Sequence, residues 1–142
     1  MSFRVAWGRT GERGVVGVED LDRVLDEIGA AGRPQVVSIY PPGYVEESES
    51  SPWDEPPRDV LEIGIGHPDR GFVVWLGEQG GLGAEREVPP WPAASHDIAF
   101  DYGGDPVFCG PERASVTPGK ARQAAREFIA SGGRRPTCVD WV

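Results

Sequence analysis

Apolar residues in this chain fall into short alternating runs interrupted by two stretches of helical spacing. Phe3, Val5 and Trp7 alternate with Arg4 and Ala6, which predicts a first strand. Thr10-Gly11-Glu12-Arg13-Gly14 reads as a turn, with Val15-Val16 offering the continuation of a hairpin. Leu21, Val24, Leu25 and Ile28 then recur at i, i+3, i+4 and i+7, so residues 19 to 30 are expected to form an amphipathic helix. Glu19 and Asp20 lie in its first turn, where negative charge complements the helix dipole, and Gly29 and Gly32 loosen and end it. Gln35 to Tyr40 is a second strand, stopped by Pro41-Pro42, and residues 43–57 have no periodicity and many breakers, which predicts a loop.

Beyond that loop, Val60 to Gly66 and Phe72 to Leu76 read as a third and a fourth strand joined by His67-Pro68-Asp69-Arg70-Gly71. The fourth is almost wholly apolar and is placed centrally. Glu78 to Gly83 is a glycine-rich hairpin tip, and Glu85 to Val88 a short edge strand. Pro89-Pro90-Trp91-Pro92 cannot join a central ladder, because proline donates no backbone hydrogen bond. Ile98, Phe100 and Tyr102 alternate as a further strand.

The last quarter of the chain is its most regular part. Thr117 suits an N-cap and Pro118 the first helical position. Ala121, Ala124, Ala125, Phe128 and Ile129 make one apolar stripe, and Gly132-Gly133 supplies the positive φ that commonly ends a helix. Arg134-Arg135-Pro136 turns the chain toward a closing strand, Thr137-Cys138-Val139-Asp140-Trp141. Strands linked mostly by hairpins, with one helix near each end, predict an α+β fold: a largely antiparallel sheet of about six strands with two helices packed on one face.

Composition narrows this picture. The 142 residues suit a single domain over 1–142, and 20 Gly with 14 Pro favour short elements and many turns. Five Trp argue for a folded chain, since disordered segments are poor in aromatics. A net charge of -9 disfavours direct contact with nucleic acid or an anionic membrane and makes a basic partner the natural complement. Cys109 and Cys138, with no secretory signal in the N-terminal residues, read as two reduced thiols in a cytoplasmic protein. No window approaches the length of apolar chain that spans a bilayer.

One resemblance adds to the residue-level reading. Ala125-Arg126-Glu127-Phe128-Ile129-Ala130-Ser131-Gly132-Gly133-Arg134-Arg135-Pro136, followed by Val139 and Trp141, resembles the immunity proteins of bacterial polymorphic toxin systems, Imm family one. Phe100-Asp101-Tyr102-Gly103-Gly104 is similar to that family's aromatic-Asp-Tyr-Gly segment, and Gly71-Phe72-Val73-Val74-Trp75-Leu76-Gly77 to its central strand. The acidic stretch near residue 50 has no counterpart in the resemblance. What it implies is a protein that binds a cognate toxin domain acting on nucleic acid, a deaminase first and a nuclease second, and blocks it without catalysis or cofactor.

Candidate contact residues follow from charge. Glu46, Glu47, Glu49, Asp54, Glu55 and Asp59 stand against Arg58 alone and carry over half of the net charge, with Trp53 in their midst. Such runs are most often solvated surface, but carboxylates around an aromatic also suit steering and anchoring of a basic partner. Trp91, boxed by prolines, is a second candidate anchor, whereas Trp75 and Trp141 belong to the core. His67 and His96 lack ligand-spaced companions, so no metal site is expected. Ser95-His96-Asp97 lacks a nucleophile elbow, and Gly64-Ile65-Gly66 precedes a strand rather than the helix a dinucleotide site requires. Glu62 with Glu85 or Glu87 is a formal acid-base pairing that nothing in the sequence brings together. Arg122, Arg126, Arg134 and Arg135 suit the end of the second helix, or pairing with an acidic patch. Two other classes remain open at this stage: an acidic adaptor with no toxin partner, and a small enzyme using carboxylates and His96.

Overall fold

The structure, a computed structural model, describes residues 2–43, 59–77, 79–91 and 96–142. The residues Glu46, Glu47, Glu49, Trp53, Asp54 and Glu55, and with them most of the expected 43–57 loop, lie outside the described residues. The described chain is α+β. In order it forms β1 (Phe3–Trp7), β2 (Gly11–Val15), α1 (Val18–Gly29), β3 (Gln35–Tyr40), β4 (Leu61–Ile65), β5 (Phe72–Trp75), β6 (Leu82–Ala84), β7 (Ile98–Tyr102), β8 (Asp105–Cys109), α2 (Pro118–Ala130) and β9 (Asp140–Trp141). Seven strands run side by side as β2-β1-β3-β4-β5-β6-β9, antiparallel at each pairing, and the β7–β8 hairpin attaches to β3 through a single parallel pairing of Gln35 with Asp101.

Among the described residues the sheet therefore has nine strands where the hydrophobic pattern predicts about six. Each added or shifted strand lacks the alternation that marks a half-buried strand. Gly11-Glu12-Arg13-Gly14, expected to be a turn, is the body of β2, an edge strand that is mostly exposed. The short strand expected at Glu85 to Val88 lies instead at Leu82–Ala84, and the closing strand shortens to Asp140–Trp141. β8 carries Pro106, which is tolerated because the strand pairs only with β7. Gly103 and Gly104, with φ of 62° and 101°, form the two-residue tip of that hairpin, a geometry with positive φ at both central positions.

Register sorts the side chains into two faces. Val5, Ile39, Leu61 and Trp75 form one row across four strands, and Val37, Ile63 and Val73 the next. These rows meet Leu21, Val24, Leu25 and Ile28 of α1 and Ala121, Ala124, Ala125, Phe128 and Ile129 of α2 in the larger core. Full burial of one such aliphatic side chain is worth about 1.5–3 kcal/mol. The alanines let α2 lie close to the sheet, where a Cβ on Gly71 would sit 3.3 Å from Ala121 Cβ. Phe128 then reaches down between Phe3 and Trp75, edge to face at 5.6 and 5.8 Å.

Local signals for α2 are satisfied as its sequence suggests. Thr117 Oγ1 accepts a hydrogen bond from Lys120 N at 3.3 Å, Pro118 opens the helix, and Gly132 and Gly133 follow with φ of 77° and 101°. Glu85 holds the cap from outside, accepting from Thr117 N at 2.8 Å and Oγ1 at 2.9 Å. The helices are also tied to each other. Arg126 donates twice to Asp22, at 2.8 and 2.7 Å, and Arg122 pairs with Asp26 at 2.8 Å. Arg122 and Arg126 thus serve α1–α2 packing.

Candidate functional site

The other face of the sheet is built differently. Its rows are Val36, Gly64 and Phe72, then Ala6, Ser38, Glu62 and Val74, then Arg4 and Tyr40. No helix of the described residues covers them; the β7–β8 hairpin packs on part of this face, through a second, smaller core of Val36, Phe72, Ile98, Phe100, Cys109 and Ala114. Gly64 makes this cover possible. A Cβ there would lie 2.2 Å from the Phe72 ring and 2.9 Å from Phe100, so only glycine admits the edge-to-face Phe72–Phe100 pair at 5.0 Å. The Gly64-Ile65-Gly66 motif is a packing device.

Where the hairpin extends beyond this core, it overhangs polar residues. Glu62 on β4 is only 8% exposed, and Ser38 Oγ on β3 donates to its Oε2 at 3.0 Å. Tyr102, at the end of β7, lies within hydrogen-bonding reach of the same carboxylate and of Ser38. Burial first, and then the Glu62 charge and hydrogen bond, push the Tyr102 phenol up to about 12. No ion pair among the described residues involves Glu62. Beside this group lies a cleft of about 160 Å³ lined by Ala6, Trp7, Gly8, Val36, Ser38, Tyr40, Tyr102 and Gly103. A wider one of about 600 Å³ adjoins it at Trp7 and Gly8 and is lined by Arg9, Arg33, Gln35 and Asp101 among others.

The outward side of the hairpin is exposed at Phe108, 65% accessible, and Tyr102, on the sheet-facing side at the hairpin's end, is still 46% exposed. Trp91 lies half-buried against the smaller core. Its indole N–H donates to His96 O at 3.1 Å, and the Arg70 guanidinium stands 5.2 Å from its ring centre. Arg70 is itself buried and donates to Ala114 O at 3.1 Å and to Pro89 O, clamping three loop segments together, while its Nε has no partner among the described residues. Part of the Trp91 ring remains at the surface.

The other residues weighed for chemistry do not converge. Glu62 and Glu85 serve different partners, the first Ser38 and Tyr102, the second the cap of α2. His67 Nδ1 accepts from Asp69 N and Arg70 N, closing its own turn. Burial raises the Cys109 thiol, and burial with the neighbouring Glu127 carboxylate pushes Cys138 up to about 11, so neither is an activated nucleophile. Among the described residues no group of His, Cys, Asp and Glu is placed to hold a metal ion. No helix of the described residues is long and apolar enough to cross a membrane.

The Ser38–Glu62–Tyr102 group was not anticipated, although its signals were present. Ser38 and Glu62 are the polar members of two otherwise apolar runs, and Phe100-Asp101-Tyr102-Gly103-Gly104 ends in a two-glycine hairpin tip. Only the register of β3 against β4 shows that Ser38 stands opposite Glu62.

A helix-backed antiparallel sheet whose other face carries a hairpin, aromatic side chains and a buried carboxylate defines a small α+β protein. Residues 9–142 match the family described as Immunity protein Imm1, and the chain belongs to that family. It is thus an immunity protein directed against a toxin. No curated protein shows significant similarity to the chain.

Proposed function

We propose that this chain binds one cognate domain of a polymorphic toxin, stoichiometrically, and protects the producing cell by occluding that domain's active site or substrate groove. The toxin in this reading acts on nucleic acid, a deaminase first and a nuclease second. The family match over residues 9–142 carries the reading, and the net charge of -9 supports it. A groove that handles nucleic acid must be basic, and an acidic protein is attracted to the same surface the substrate uses. No side chain needs a catalytic role in this mechanism.

The contact residues we assign are the acidic set Glu46, Glu47, Glu49, Asp54 and Glu55, with Trp53 and Trp91 as aromatic anchors. The acidic stretch leaves the described fold after Gly43 and returns at Asp59, between β3 and β4. Co-expression with the C-terminal domain of a large secreted protein encoded by an adjacent gene tests the reading. A 1:1 complex and restored growth are expected; growth arrest with no complex overturns it. Neutralising the five carboxylates together should slow association and flatten its salt dependence, while Trp53→Ala should cost more than about 1 kcal/mol of binding.

A further inference from the structure

We propose that the cleft between the second face of β3 and the tip of the β7–β8 hairpin is a receptor for one arginine side chain of the partner domain, with Glu62 supplying the countercharge behind Ser38 and Tyr102. This rests on the binding role above and deepens it by naming a subsite and what fills it.

Three observations carry the inference. The first is size. The cleft measures about 160 Å³, well below the ~300–1,000 Å³ of a small-molecule pocket. A side-chain head fits it, and the wider cleft adjoins at Trp7 and Gly8.

The second is polarity. The Ser38 hydroxyl donates its only proton to Glu62, and Tyr102 lies within hydrogen-bonding reach of both Glu62 and Ser38. The Ser38 oxygen that lines the cleft is left as an acceptor, polarised by a negative charge that is itself 8% exposed. An acceptor oxygen over a buried anion favours a group that donates hydrogen bonds and carries positive charge. Neutral amides satisfy half of that requirement, carboxylates and phosphates none.

The third is the wall. Tyr40 and Tyr102 flank the floor, and Tyr40 already attracts a cation of this chain, since the Arg4 guanidinium lies 4.7 Å from its ring centre. Arg4 reaches toward Glu12, at 3.6 Å, and does not pair with Glu62. Between aromatic walls a planar guanidinium with five donors fits better than an ammonium, which is more strongly hydrated.

Two arms test this on the full chain. In the first, N-acetyl-arginine amide is titrated while amide and side-chain NMR shifts are followed, with N-acetyl-glutamine amide as the neutral control. Saturable shifts at Ser38, Tyr40 and Tyr102 with the arginine compound alone, lost in Glu62→Gln, are expected. No response, or an equal response to glutamine, overturns the receptor. In the second, affinity for the neighbouring toxin domain is measured for the wild type, Glu62→Gln and Tyr102→Phe. A loss of about thirtyfold or more is expected for Glu62→Gln, provided its thermal unfolding stays cooperative, because a charge in the partner would then be buried unpaired. Tyr102→Phe, at a half-exposed position, gives the same answer if Glu62→Gln fails to fold, with a smaller loss. Wild-type affinity in a folded Glu62→Gln overturns the receptor while leaving the immunity role standing. Arginine shifts without any toxin binding would do the reverse.

Discussion

The two faces of the sheet solve the same problem with different materials. On the helix side, apolar rows meet two amphipathic helices, and the carboxylates and guanidiniums at the helix surfaces pair with one another. On the hairpin side the cover is a two-stranded flap joined to the sheet by one pairing. It buries a smaller cluster, leaves Phe108 in solvent, and roofs a carboxylate that has hydroxyl partners but no ion pair among the described residues. A face whose charges are already paired has little left to offer a partner. A face with an acceptor over a buried carboxylate, exposed rings and a clefted edge has more, which is why we propose recognition on the side away from the helices.

The contrast can be broken at its centre. Phe128→Ala removes a fully buried ring packed on Phe3 and Trp75 and should cost about 3–5 kcal/mol, measured by denaturant unfolding as a lower midpoint with unchanged slope. Phe100→Ala removes an equally buried ring from the other core. There the damage should stay local: β7 and β8 amides lose their protection against hydrogen exchange while those of β3 and β4 keep theirs. Uniform loss across the sheet in Phe100→Ala would show that the two faces form one cooperative unit.

A subtler change sharpens the same distinction. Gly64→Ala drives a methyl into Phe72 and Phe100 and should cost about 1–3 kcal/mol, since the hairpin must lift to admit it. Tyr102 then moves with its strand, and its phenol should titrate nearer the ordinary value of 10.0 than the present value of about 12. An unmoved Tyr102 titration in the variant would mean that the flap is not lifted at Gly64.

How far the sequence reveals these faces depends on how each is encoded. The helix side is written in local periodicity: Leu21, Val24, Leu25 and Ile28 in α1, and the Thr117–Gly133 unit with its cap, proline and glycines, are legible from spacing alone. The hairpin side is written in pairing. Asp105-Pro106-Val107-Phe108-Cys109 has neither alternation nor a proline-free run, so β8 is invisible until β7 supplies its partner. Glu62 looks like a stray charge in an apolar strand, and only the cross-strand register joins it to Ser38. Gly64 resembles half of a nucleotide fingerprint until its missing Cβ is seen to hold two phenyl rings. Long-range contacts create the candidate site, and one-dimensional patterns do not carry them.

Between the core changes and the surface lies the α2 cap. Thr117→Ala deletes the acceptor for Lys120 N and one of the two hydrogen bonds to Glu85, and should cost about 1 kcal/mol by thermal or denaturant unfolding. Partner affinity should be unaffected, because α2 belongs to the helix side. A loss of affinity larger than the loss of stability would move the binding surface to the wrong face.

The smallest expected effect concerns the paired charges of the helix side and is read from pH. The hydrogen bonds from Arg126, opposed by burial and aided by the charges of Arg126 and Arg122, hold the Asp22 carboxyl below its ordinary value of 3.8. A carboxyl depressed in the folded state binds its proton more readily once unfolded. It therefore contributes stability that is complete above the ordinary value and is lost as pH falls through the folded one. The stability difference between wild type and Asp22→Asn should be constant from about pH 5 upward and should shrink steadily below about pH 4. The pair is partly exposed, with Asp22 at 27% and Arg126 at 47%, so salt should narrow the difference at neutral pH as well. If the difference is the same at about pH 2 as at about pH 7, Asp22 gains nothing from its charge in the folded state, and the helix side holds together by apolar packing alone.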